Sequence, residues 1–135
     1  MDNDEGLGAV TGVLKGASEV IAGYFISKEA MKRRGALEGQ PTLAVFANEA
    51  LCQGNYAELR SRILIDLASI PGAQELDVIV LNDASPLVRH GVVQRSKGIY
   101  CSSLKECAAF EEVAIIDYLD IHAIEQLVRQ DGTNV

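Results

Sequence analysis

The chain has 135 residues, with 12 Lys+Arg against 19 Asp+Glu and a formal net charge of −7, the wrong sign for a protein that neutralises a phosphate backbone. Hydrophobic residues make up 48% of it, which argues against disorder and for a packed core burying roughly two-thirds of the unfolded surface. Its apolar runs, such as Val78-Ile79-Val80-Leu81, fall far short of the ~20 residues of a membrane helix, and the start MDNDEG is acidic where a secretion signal would be basic. Residues 1–6 read as a flexible tail and 7–130 as a single domain. Leu7, Val10, Val13, Leu14 and Ala17 recur at helical spacing and predict a first helix to about Ser18. Val20 to Ile26 is apolar on both faces, which predicts a central strand. Ser27 can cap a short helix from Lys28 to Arg34, closed by Gly35.

Gly39-Gln40-Pro41 reads as a loop feeding a second strand, Thr42 to Ala47. Asn55 opens a helix with Leu59, Ile63 and Leu67 on one face, stopped by Pro71-Gly72. Glu75 to Leu81 is the most strongly strand-like segment. Ser85-Pro86 starts a helix to about Arg95, with serine at the cap and proline at the first helical position. Gly98 to Cys101 reads as a short edge strand, and Leu104 to Arg129 as helix with a break near Asp120. Strands alternating with helices predict an α/β (α+β) fold, a mixed sheet of about four strands flanked by helices.

Cys52, Cys101 and Cys107 are odd in number and match no metal spacing with His90 or His122. They fit a reducing, cytoplasmic compartment without a disulfide framework. No nucleophile elbow and no dinucleotide fingerprint are present. Lys28, Lys32, Arg33 and Arg34 form the one basic cluster, read as a solvated helix face.

Residues 76–120 are the informative part. Asp77 leads an apolar strand into Leu81-Asn82-Asp83, Ser85-Pro86-Leu87 starts a helix, and Lys97-Gly98-Ile99-Tyr100 follows as an edge strand. Phe110-Glu111 and Tyr118-Leu119-Asp120 then lie on the last helix. In one ungapped register this series resembles the minimal nucleotidyltransferases, small stand-alone members of the DNA-polymerase-β-like superfamily. The resemblance implies the nucleotidyltransferase fold. It also implies a site in which a Gly-Ser after the first strand cradles phosphates, and an Asp-x-Asp pair plus a third Asp hold two divalent ions.

This chain departs from that pattern. Ile26-Ser27 stands where the family has Gly-Ser, and Gln40 and Thr42 stand where it has the two aspartates. Only Asp77 matches a metal carboxylate, and only Ser27 keeps a phosphate-binding position. Asp77 also reads as an ordinary strand-end carboxylate and Ser27 as a helix cap; Glu38 and Asp83 are the candidates for a rescuing ligand, but Glu38 lies in the loop before the second strand and Asp83 reads as capping the turn before Ser85. The expectation is a degenerate site with relic positions Ile26, Ser27, Gln40, Thr42 and Asp77, and no cofactor.

The resemblance also implies a partner, because these proteins pair with small all-helical HEPN-domain proteins, several pairs behaving as toxin and antitoxin. The expected function is therefore an inactive, antitoxin-like interaction partner of a HEPN-type protein, with homo-oligomers as a further possibility. Two alternatives stand beside it: a nucleotide-binding regulatory domain, and an active nucleotidyltransferase that moves AMP from ATP with Mg²⁺ on non-standard ligands.

Overall fold

The computed structural model describes residues 4–28 and 40–133. Helix α1 (Asp4–Gly16) leads into β1 (Val20–Ile26), and β2 (Thr42–Ala47) is followed by the short α2 (Glu49–Cys52) and by α3 (Tyr56–Ala68). Then come β3 (Asp77–Val80), a 3₁₀ turn at Leu81–Asp83, α4 (Pro86–Arg95), β4 (Lys97–Cys101) and the long α5 (Leu104–Thr133). Of the expected helix from Lys28 to Arg34, Lys28 is helical and residues 29–34 lie outside the described residues, as does Glu38.

The described strands form one mixed sheet in the order β3-β2-β1-β4. β1 is antiparallel to both β2 and β4, whereas β2 and β3 run parallel. Every residue of β1 is buried, as its two-sided apolar sequence predicts for a central strand. A bulge between Val20 and Ala22 shifts the alternation, so Ile21 and Ala22 both face the same layer.

One core lies between the sheet and α1 with α3: Val10 and Leu14 meet Leu43, Val45 and Val78, and Leu59, Ile63 and Leu67 close it. The other lies under α4 and α5, where Tyr24, Ile26 and Ala44 meet Val92 and Phe110. Phe110 stacks on Phe46 with ring centroids 4.3 Å apart, and the Tyr24 hydroxyl donates to Glu111 Oε1 at 3.2 Å. At Gly23, where α1 crosses the sheet, a Cβ would meet Leu14 Cδ1, so any larger residue there would require the Leu14 side chain to shift.

The cap residues behave as their chemistry predicts. The side chains of Asn55 and Ser85 accept from Glu58 N and Val88 N, at 3.3 Å each. Three expectations are corrected. α5 is continuous, since Asp120 offers neither a missing N–H nor a glycine to break it. β3 ends at Val80 because Leu81–Asp83 curls into the 3₁₀ turn, closed by Ala84 N donating to Leu81 O at 3.1 Å. The cysteines are not all free: the turn after β4 brings the Cα atoms of Cys101 and Cys107 within 6.5 Å, and the two are disulfide-bonded. Cys52 remains a free, buried thiol.

Candidate functional site

Strand pairing aligns three of the sequence-selected positions in one row. Ile26 at the end of β1 pairs with Thr42 at the start of β2, and Thr42 pairs with Asp77 at the start of β3. With neighbouring strands about 4.8 Å apart, Ile26 and Asp77 lie roughly 10 Å from each other. Strand alternation puts Thr42 on the same face as Ala44, and Ile26 packs in that same layer under α4 and α5. Ser27 directly follows β1 at this end of the sheet.

Each polar group of the row has an identified bond. Thr42 is 4% exposed, and its hydroxyl donates to Gln40 O at 3.1 Å. Gln40 lies just ahead of β2, where its Nε2 donates to Glu75 O at 2.6 Å and ties the two strand entrances together. The Asp77 N–H extends that tie by donating to Pro41 O at 3.1 Å. The Asp77 carboxylate accepts from Val78 N at 2.9 Å and from Arg60 at 3.1 Å.

Arg60 is the residue that sequence reasoning missed. It sits on α3 and reaches β3 at the open edge of the sheet, where its Nε donates to Val78 O at 2.7 Å while its terminal nitrogen meets Asp77. One side chain thus satisfies an edge carbonyl and pairs with the Asp77 carboxylate. Nothing in the local sequence marks it, since an arginine on the polar side of a helix is ordinary.

Magnesium takes hard oxygen ligands and, for in-line phosphoryl displacement, a set of carboxylates around two ions. An amide, a threonine hydroxyl and one guanidinium-paired aspartate do not fit that set. Among the described residues no group of three His, Cys, Asp or Glu side chains converges on a point. His90 and His122 flank Tyr118 instead, with ring centroids 3.7 and 5.9 Å away.

The recess beside Asp77 has a volume of about 330 Å³ and is lined by Tyr56, Arg60 and Asp83 among others. A wider groove of about 800 Å³ opens at the opposite end of β2, between Phe46, Asn48, Glu49, Asn82 and Glu106. The length of β2 separates it from the Thr42 end of the row, roughly 16 Å at strand rise. Burial pushes the Cys52 thiol up, and burial followed by the Glu111 charge pushes the Tyr24 hydroxyl well up. Among the described residues no helix is long and apolar enough to cross a membrane.

No family model and no curated protein matches the sequence. Solved structures do. A mutant of the toxin–antitoxin MntA-HpeT is 21% identical, covers 93% of this chain and 96% of that chain, and superposes with a TM-score of 0.67. The toxin–antitoxin MntA-HepT is 18% identical over 96% of this chain and 97% of that one, with a TM-score of 0.65. A tri-AMPylated Shewanella oneidensis HEPN toxin in complex with an MNT antitoxin matches at 18% identity, covering 94% and 95%, with a TM-score of 0.64. The chain has the nucleotidyltransferase fold of these minimal nucleotidyltransferases, matched over nearly its whole length.

Proposed function

We propose that this chain is a nucleotidyltransferase-fold protein that performs no nucleotidyl transfer and acts as the antitoxin-like partner of a small helical HEPN-type protein in the cytoplasm. The observation that carries the reading is the near-complete overlap, in both directions, with structures whose names pair an MNT-type protein with a toxin. The absence of turnover is supported by chemistry. Replacing two ligand carboxylates by Gln40 and Thr42 removes most of the charge that would offset dehydration of Mg²⁺, and Arg60 pairs with Asp77.

The test is co-expression with a HEPN-type protein, followed by incubation with labelled ATP and Mg²⁺. A stable complex with no label transferred is the expected result. Transfer abolished by Asp77→Asn would replace this reading with the active enzyme. Absence of any complex, together with thermal stabilisation by ATP alone, would replace it with the nucleotide-binding regulatory domain.

A further inference from the structure

One apolar series of α5, beside the exposed and off-series Val113, Ile115, Ile116, Leu119 and Leu127, has a spacing that its own domain uses only in part. Cys107, Phe110 and Ala114 are 8%, 8% and 1% exposed and form the seam that packs on the sheet. Steps of three and four residues carry the same seam on through Asp117 to Ile121, Ile124 and Val128. Those three are 38%, 60% and 64% exposed. A heptad seam faces one side along its whole length, so the stripe that is core at the start of the helix has no partner at its end among the described residues.

Charge narrows what can cover it. Asp117 stands on the seam, and Asp120 and Glu125 occupy the two flanks of the uncovered part. A second copy of this chain, packed seam to seam, would bring these carboxylates near their own counterparts, and like charges at such positions oppose pairing. A helix with an apolar seam and Lys or Arg on its flanks would bury the same apolar area with complementary charge.

We infer that the C-terminal half of α5, through Ile121, Ile124 and Val128, is the docking surface for a single helix of a different protein, one with an apolar seam and basic flanks. This rests on the reading above and names the part of the chain that holds the partner. Continuity with the intramolecular Phe110–Ala114 seam makes the bound helix an extension of the existing core.

The experiment uses the full chain, co-expressed with a HEPN-type protein. Ile124→Glu, at an exposed position, leaves the melting temperature of the isolated chain unchanged and weakens the complex by roughly tenfold or more. Leu119→Glu, on the opposite side of the helix, leaves affinity unchanged. Asp120→Lys with Glu125→Lys weakens binding, and more so at low salt, where charge matters most. If the wild-type chain binds no such partner, the functional reading fails. If the wild-type chain binds it and Ile124→Glu binds equally well, the surface is wrong and the functional reading stands. Concentration-dependent dimerisation of the isolated chain, abolished by Ile124→Glu, would assign the seam to a second copy and overturn the inference.

Discussion

Asn82 holds both main-chain polar groups of Ala47: its Oδ1 accepts from the Ala47 N–H and its Nδ2 donates to the Ala47 carbonyl, each at 2.9 Å. β3 has already ended at Val80, so one side chain continues the parallel ladder beyond the last strand residue. Arg89 then fixes the turn from below, donating to the carbonyls of Leu81 at 2.8 Å and Asn82 at 2.7 Å. Asn82→Ala should cost about 2–3 kcal/mol, because two partly buried main-chain groups lose partners at once. Urea denaturation would show it as a lower midpoint with an unchanged slope. Asn82→Asp keeps only the acceptor and should fall between the variant and the parent.

Restoring carboxylates tests the placement of the lost ligands. Gln40→Asp with Thr42→Asp adds two anions near Asp77, one of them at a position only 4% exposed. Without metal the protein should lose about 1–3 kcal/mol, as like charges sharing a site do. Mn²⁺ should reverse that loss, since it binds the folded site alone. Melting curves with and without Mn²⁺ decide the point, and adding Arg60→Gln should enlarge the metal-induced shift. Equal shifts in mutant and parent would mean that Gln40, which lies ahead of the strand, is not the lost ligand position.

The Tyr24 hydroxyl gives a pH dependence with a definite sign. Burial and the neighbouring Glu111 raise its pKa well above the ordinary 10.0. Above about pH 10 the unfolded chain therefore releases a proton that the folded chain retains, and stability falls as pH rises. Below that pH this contribution is fully present. Tyr24→Phe should flatten the alkaline limb of a stability-against-pH curve relative to the parent.

The Cys101–Cys107 disulfide closes a loop with a sequence separation of 6, for which the chain-entropy model gives on the order of 2 kcal/mol. Reduction, or Cys101→Ser, should lower the melting temperature accordingly. Titrating thiols in denaturant without reductant should find Cys52 as the free thiol. A reducing compartment would hold the pair as thiols.

Legibility followed the range of the physics involved. The two-sided apolar run of β1 marked a central strand, the Ser85-Pro86 pair marked a helix start, and Leu59, Ile63 and Leu67 marked a buried face, all from local pattern. The brief α2 was not legible, because four residues carry no periodicity and its cap, Asn48, reads equally as a loop residue. The Val20–Ala22 bulge depends on pairing with β2 and leaves no local mark. The row Ile26–Thr42–Asp77 was reached through resemblance, whereas Arg60 was missed because its role exists only once α3 lies beside the edge of β3. The disulfide was hidden for the same reason, since a spacing of six says nothing about a reversing turn.

α5 spans 30 residues, which at helical rise makes a rod about 45 Å long. Its first turns are clamped by Phe46 and Tyr24, whereas Ile124, Leu127 and Val128 towards its end are 60%, 61% and 64% exposed. A helix segment in that condition winds and unwinds with the marginal stability of an isolated peptide. Amide exchange in the final turns should therefore run near the rate of a free helix while the sheet stays protected. Among the described residues these turns offer a protease an accessible stretch of chain, and whatever lies along the far end of the rod would shield it.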